Sequence, residues 1–398
     1  MSENIGISIL GATGSIGRQT VNVVQDLPHV RVKALAAGSD YKGLAEIAKI
    51  LKPDLVALYD ENAASHLKDI MPDVPIAAGL EGILECVQLP EVHIVVNAMV
   101  GSIGLRPTLA AITAKKNIAL ANKETLVAAG SLVMESAWKN SVKILPIDSE
   151  HSAIWQCLQG SYYENKERES GNGSKSNNKE SIKRLILTAS GGPFREWELE
   201  AIAKAKASAA LRHPIWSMGQ KITIDSATMM NKGLEYIEAH HLFNIPYDKI
   251  NVLIHPQSVI HSMVEFEDGA IIAQMGQPDM GLPIHYALTA PERVPRPHIP
   301  LDFLTLTGLT FEEPDLNKFP CLALAQYAAK TGGTLPTVMN TVNEEMVAAY
   351  LQGTIGFYDI SRLIEEAFAT YTVKPVNSLT DVEEAEMWAR EFSRRIPN

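Results

Sequence analysis

The feature that most constrains this chain is a glycine-spaced turn set between a strand and a helix near its start. Ile5–Leu10 is a short apolar run and Ser15–Leu27 has helical periodicity. Between and into them, Gly11, Gly14 and Gly17 fall at the GxxGxxG spacing. Glycine lets backbone turn tightly and approach a pyrophosphate, and the helix N-terminus stabilises the anion's charge. A glycine-rich turn alone is weak evidence for a nucleotide, but the strand–turn–helix setting strengthens it. The competing reading is a tight structural turn with no ligand.

The alternation continues. Arg31–Ala37, Leu55–Leu58, Val92–Asn97, Asn117–Ala121 and Lys143–Ile147 read as strands, with helix-length stretches such as Leu44–Leu51 between them. Strand–helix alternation at this spacing predicts an α/β fold, a mostly parallel sheet with helices on both faces. The run Ser161–Lys183 is charged and rich in Ser, Asn and Gly, so it reads as a surface loop. A strand (Ile182–Ala189) and the turn Ser190–Pro193 follow. The segment Lys221–Phe243 opens with a strand-like KITI and passes into a helical pattern over Ser226–Ala239. Val259–Phe266 and Ala270–Met275 read as a hairpin, residues 291–311 as a Pro-rich linker, and 321–330, 337–351, 359–371 and 380–394 as helices. A second α+β domain and a helical C-terminal domain are expected.

Composition narrows the function. Forty-six acidic against 35 basic residues give a net charge of −11, which argues against a nucleic-acid partner. No apolar run approaches the roughly 20 residues of a membrane span, and no basic, apolar leader precedes the first strand. The 3 cysteines are scattered without a CxxC pair, so a reducing cytoplasm is the expected compartment.

Three acids stand where a cation would need them. Asp148 and Glu150 follow a strand at i, i+2, which in extended chain sends both side chains to one side. Glu235 lies downstream on the helical segment. Hard oxygen donors without thiolates favour Mg²⁺ or Mn²⁺. An Asp-x-Glu pair alone is more often a solvated surface feature or a helix N-terminal acid. Asn231, Lys232 and Glu235, at i, i+4 and i, i+3, share a helical face, and Ser226 reads as the N-cap of that helix. With Ser190 before two glycines, these groups form a candidate phosphate receptor; the plainer reading is a capped helix with a Lys–Glu pair. Lys123 follows a strand end at the sheet's ligand edge, although a helix-start Lys paired with Glu124 would look the same. His213 and Trp216 lie in a Pro- and Gly-bounded stretch of the kind used as a lid, or are a loop histidine and a core aromatic. His255, His261 and the pair His240–His241 read as structural. For the cofactor, Asp40 ends the second strand's turn: it could accept from a ribose and favour NAD, or leave Gly38 and Ser39 to admit a phosphate.

The motifs GATGSIG, ANKETLV, PIDSEHSAIWQ, ASGGPF, HPIWSMGQKITIDSATMMNKGLEYIEAHHLF and AQMGQPDMGLPIHYAL resemble the 1-deoxy-D-xylulose 5-phosphate reductoisomerase family, in order from about residue 5 to the C-terminus. The resemblance implies a Rossmann-like NADPH domain (1–149), a catalytic and dimerisation domain (150–290) with a flap near 208–219, the linker 291–311 and a helical domain (312–398). It implies a cytoplasmic homodimer that uses NADPH with Mg²⁺, Mn²⁺ or Co²⁺. Its substrate is 1-deoxy-D-xylulose 5-phosphate and its product 2-C-methyl-D-erythritol 4-phosphate, in the non-mevalonate isoprenoid route. By resemblance the metal ligands are Asp148, Glu150 and Glu235. The substrate phosphate meets Ser190, Ser226, Asn231 and Lys232; Lys123, Ser149, Glu150 and His213 face the reacting skeleton; Trp216 covers the substrate. Catalytic roles fall to Lys123, Glu150, His213 and Glu235. Cofactor contacts are Thr13, Gly14, Ser15, Ile16, Gly38, Ser39, Asp40, Asn122, Glu124 and Gly219. Some members carry basic or amide groups where this chain has Ser39 and Asp40. A rival aldehyde or semialdehyde dehydrogenase would need a nucleophilic cysteine, and Cys86, Cys157 and Cys321 have no such setting. A noncatalytic dinucleotide sensor would have no use for the three acids.

Overall fold

Seven parallel strands in the order β4-β3-β2-β1-β5-β6-β7 form the first sheet of the computed structural model, which describes residues 4–159, 181–216 and 218–395. The strands are β1 (Ile5–Leu10), β2 (Val30–Ala37), β3 (Leu55–Leu58), β4 (Ile76–Ala78), β5 (Ile94–Asn97), β6 (Asn117–Leu120) and β7 (Ile144–Pro146). Sequence order runs outward in both directions from β1, so the switch point lies between β1 and β5, where open α/β sheets bind ligands at the strands' carboxyl ends. β4, three residues long, escaped the sequence reading because so short a run has no alternation to detect. Residues 161–180 of the expected polar loop, and Ser217 of the expected flap, lie outside the described residues.

The second sheet has the order β11-β10-β8-β9, built from β8 (Ile182–Ala189), β9 (Ile250–Ile254), β10 (Ile260–Phe266) and β11 (Ile271–Met275). β10 and β11 form the expected antiparallel hairpin, closed by Gly269 at φ +87°, with β10 also antiparallel to β8 and β9 parallel to it. Helices follow at Pro320–Thr331, Leu335–Gln352, Asp359–Thr370 and Leu379–Arg394. Leu185, Leu187, Ile224, Leu234, Leu322 and Val338 lie in one core beneath them.

The chain divides into two compact units. One comprises Met1–Thr125, Val133–Asp148 and Asp279–His298; the other comprises Leu126–Leu132, Ser149–Pro278 and Ile299–Asn398. The helix Gly281–Thr289 buries Ile284, Ala287 and Leu288 in the core of the first unit, which carries part of the 150–290 stretch and of the Pro-rich run into that unit.

Three local expectations are corrected. KITI is not a strand but part of the helix Gln220–Thr228. Asp225 is 1% exposed and its carboxylate meets Lys221 Nζ at 2.8 Å. Residues four apart are about 13 Å apart in a strand but neighbours on a helix, so only the helix neutralises that buried charge, overriding the β-branched propensity of Ile222, Thr223 and Ile224. Ser226 consequently sits inside this helix and is no N-cap: its carbonyl accepts from Met229 N, whose left-handed backbone (φ +64°) precedes a new helix, Met230–Phe243. Glu150 lies in the first turn of the helix Ser149–Leu158 rather than in extended chain.

Candidate active site

In the first unit the glycine turn is shaped by close backbone approach. Gly11 has φ +78°, and a Cβ there would lie 2.4 Å from Ala98 O, beyond the end of β5. A Cβ on Gly17 would lie 2.1 Å from Gly11 O, so the helix Ser15–Gln25 packs directly on the turn. Gly14 precedes that helix without a side-chain cap, and Thr13, Ser15 and Ile16 line the same turn with Gly14 and Ser15 exposed. Such a cradle, closed to a Cβ at Gly11 and Gly17 and headed by a helix N-terminus, fits a dinucleotide pyrophosphate. Gly38, Ser39 and Asp40 follow β2, all exposed; Asp40 Oδ1 accepts from Gly43 N at 2.9 Å and caps the helix Tyr41–Leu51.

Asn122 caps the helix Lys123–Lys139 through Thr125 N, and its amide donates to Met99 O, Gly101 O and Glu124 Oε2 at 2.8, 2.9 and 3.0 Å. The helix departs from helical geometry at Ala129. Lys123 opens it, with Nζ 3.0 Å from Asp148 Oδ2; both side chains are nearly buried, at 7% and 14% exposure. An anionic partner of Lys123 is thus Asp148, just past the end of β7.

The second unit resumes at Ser149, one residue after Asp148, so chain connectivity alone keeps Asp148 within two positions of Glu150. Glu150 and Glu235 offer carboxylate oxygens within 4.8 Å of each other. Lys232 Nζ reaches Glu150 Oε1 at 2.8 Å and also Glu235 Oε2. Burial by itself would push the Lys232 ammonium down, but the two carboxylates outweigh it and hold its pKa above the usual lysine value. Asn231 Nδ2 donates to Glu235 Oε1 and Ser149 Oγ to Glu150 Oε2, each at 2.5 Å. Asn231, Lys232 and Glu235 do share a helical face. Two carboxylates that already converge on a cationic ammonium, with hard oxygen donors and no thiolate, fit a divalent ion of the Mg²⁺ or Mn²⁺ type.

Two residues beneath this cluster escaped the sequence reading. His151, fully buried, has Nε2 2.9 Å from Glu235 O and Nδ1 3.3 Å from Glu238 Oε2. It ties the helix bearing Glu150 to the helix bearing Glu235. The available signal was position: His151 adjoins Glu150, and Glu238 lies one helical turn after Glu235.

A second group forms around Ser190. Gly191 and Gly192 have φ of +85° and +70°, and a Cβ on Gly192 would lie 2.6 Å from Ser226 O. The turn carrying Ser190 therefore lies against the backbone of Ser226. Ser190 Oγ is 3.0 Å from His213 Nε2, and Nδ1 of that ring accepts from Ile215 N and Trp216 N at 3.2 and 2.9 Å. Desolvation pushes His213 down to about 4, so the ring is neutral. The Trp216 ring is 6.2 Å from that of His261. Gly219 caps the helix Gln220–Thr228 in this same unit.

These features agree with what the chain is similar to. A model of 1-deoxy-D-xylulose 5-phosphate reductoisomerase matches residues 7–130, and two models of that enzyme's C-terminal domains match 144–243 and 275–392. The reductoisomerase of Heliobacterium modesticaldum is 52% identical over 392 residues, covering 97% of this chain and 96% of that one. That of Acetivibrio thermocellus is 49% identical, covering 98% of each. A DOX-P reductoisomerase solved in complex with NADPH, fosmidomycin and magnesium superposes with TM-score 0.92 at 41% identity over 98% of both chains. The Zymomonas mobilis enzyme with NADPH gives 0.88 at 41% over 99% of both. With such likeness along its whole length, the chain belongs to the 1-deoxy-D-xylulose 5-phosphate reductoisomerase family.

Proposed function

We propose a division of labour among these residues for the family's reaction, the NADPH-dependent conversion of 1-deoxy-D-xylulose 5-phosphate into 2-C-methyl-D-erythritol 4-phosphate, a step toward isoprenoids. The chain is an NADPH-dependent, metal-requiring enzyme of that activity. When bound, the divalent ion supplies Lewis acidity and NADPH the hydride.

Asp148, Glu150 and Glu235 hold the ion. Glu150 and Glu235 are the observation that carries this reading: carboxylates 85 positions apart in the chain meet around one buried ammonium. Lys123, paired with Asp148 at 3.0 Å, offers a proton donor to oxygen developing negative charge on the substrate. Ser190, Ser226, Asn231 and Lys232 grip the substrate phosphate. The His213 tautomer follows from its contacts. Nδ1 accepts two backbone N–H bonds, so the proton sits on Nε2 and is donated to Ser190 Oγ. Ser190 Oγ also accepts from Gly192 N at 3.2 Å, which turns its own hydroxyl proton outward to a phosphate oxygen. Trp216 covers the bound substrate and excludes water. Thr13, Gly14, Ser15 and Ile16 cradle the cofactor pyrophosphate. Gly38, Ser39 and Asp40 border its adenosine, and Asn122, Glu124 and Gly219 complete the cofactor's surroundings.

A second copy of the chain is the partner we assign to the edge strand β11. Ile271 and Ile272 stand 53% and 41% exposed there, and an unpaired apolar edge favours burial against another protein surface. No helix of the described residues is long and apolar enough to cross a membrane. The three cysteines are all buried free thiols, in keeping with a cytoplasmic setting.

The test is NADPH absorbance with 1-deoxy-D-xylulose 5-phosphate after chelation. Oxidation that stops with chelator and returns with Mn²⁺ is expected. Oxidation indifferent to chelator would refute the metal assignment.

A further inference from the structure

Asp40 poses a problem that its surroundings resolve. In sheets of this topology an acid at the end of the second strand accepts from the ribose hydroxyls of NADH, whereas a 2′-phosphate needs a cation there. Asp40 stands at the acid's place, yet the chain belongs to an NADPH-dependent family. Both of its carboxylate oxygens are engaged by the protein. Oδ1 accepts from Gly43 N at 2.9 Å, and Oδ2 faces Arg18 Nη2 at 3.4 Å.

Arg18 follows the third glycine of the turn, in the opening of the helix Ser15–Gln25. Its Nε donates to Thr13 O at 3.0 Å. The side chain thus spans the loop after β1 and the loop after β2, and the adenosine ribose of a dinucleotide belongs between those loops. Gly43 provides the seat: a Cβ there would lie 2.3 Å from Asp40 Oδ2 and 2.7 Å from Arg18 Nη2. Neighbouring Gly38 has no atom within 4 Å of where its Cβ would stand, so the approach is open. Arg18 and Asp40 side chains are each about half exposed, at 50% and 49%. A pair so well solvated holds the guanidinium loosely enough for a stronger anion to claim it. Of the five guanidinium N–H groups, the Thr13 and Asp40 contacts take two.

We propose that Arg18 is the specificity-determining residue for NADPH: its guanidinium receives the 2′-phosphate, and Asp40 orients it from the protein side. Asp40 is then a cap and an anchor rather than a ribose acceptor. A planar fork of donors suits phosphate oxygens. This inference rests on the NADPH-dependent reading of the chain and adds to it the residue that enforces the choice.

Calorimetric titration of the full-length, cofactor-free protein with adenosine 2′,5′-bisphosphate and with 5′-AMP tests it without turnover. Arg18→Leu is expected to weaken the bisphosphate about 10- to 100-fold while 5′-AMP changes by less than about twofold. Arg18→Lys, which keeps the charge and loses the fork, is expected to fall between. Persistent 5′-AMP binding reports that the variant is folded. Equal losses for both nucleotides, or no loss for the bisphosphate, would overturn the assignment to Arg18 and leave the NADPH reading standing. A wild-type protein that binds the bisphosphate no better than 5′-AMP would contradict that reading and this inference together.

Discussion

His213 donates from Nε2 to Ser190 Oγ across 3.0 Å, because its Nδ1 is already an acceptor for Ile215 N and Trp216 N. The bond fixes the hydroxyl rotor and joins the segment around His213 to the turn after β8. Ser190→Ala removes the outward donor and leaves the histidine's own donor without its acceptor. KM for 1-deoxy-D-xylulose 5-phosphate is expected to rise about tenfold, the worth of one hydrogen bond to a charged group, with kcat little changed. Steady-state kinetics with saturating NADPH check this; an unchanged KM would remove Ser190 from the phosphate grip.

Partly buried, neutral histidines make acid stability predictable in sign. Burial pushes His213 down to about 4, and burial with the neighbouring His240 pushes His241 down to about 4. In the unfolded chain both titrate near 6.5, a typical histidine value. Between those values the unfolded state binds protons that the folded state refuses. Stability therefore falls as pH drops from about 6.5 to 4 and is insensitive to these groups at higher pH. Thermal melts across that window should show a declining Tm, with a shallower decline in His241→Gln. An identical slope in the variant would contradict the neutral assignment.

Gly17 is a packing requirement as well as a motif letter. A Cβ there would meet Gly11 O at 2.1 Å and Ala12 Cα at 2.6 Å, backbone atoms that cannot swing aside. Gly17→Ala should cost about 1–3 kcal/mol of stability, typical of overpacking, and weaken NADPH. Urea unfolding and nicotinamide fluorescence measure the two effects; wild-type values for both would refute the close-approach account.

The parallel sheet was legible because strand–helix alternation and the glycine turn are local signals, and most strands fall within a residue or two of expectation. The shared face of Asn231, Lys232 and Glu235 was legible for the same reason: helical spacing fixes it. What failed was tertiary. Asp225 forces KITI into a helix through Lys221 and through Asn343, whose Nδ2 lies 2.8 Å away and 118 positions on. No local pattern announces such a partner. The extended-chain reason for pairing Glu150 with Asp148 did not hold, since the chain turns helical at Ser149. The Arg18–Asp40 pair was not legible either, because the two residues stand 22 positions apart on either side of β2.

The central claim is that Glu235, with Asp148 and Glu150, holds a divalent cation that the reaction needs. Electron paramagnetic resonance of Mn²⁺ added to wild type and to Glu235→Gln, paired with turnover of the same samples, addresses it directly. The account predicts tight Mn²⁺ binding by the wild type that is lost in the variant, with kcat down by about 10³-fold, matching several kcal/mol of lost charge stabilisation, and NADPH binding retained. A variant that binds Mn²⁺ as tightly as the wild type and turns over normally would contradict it.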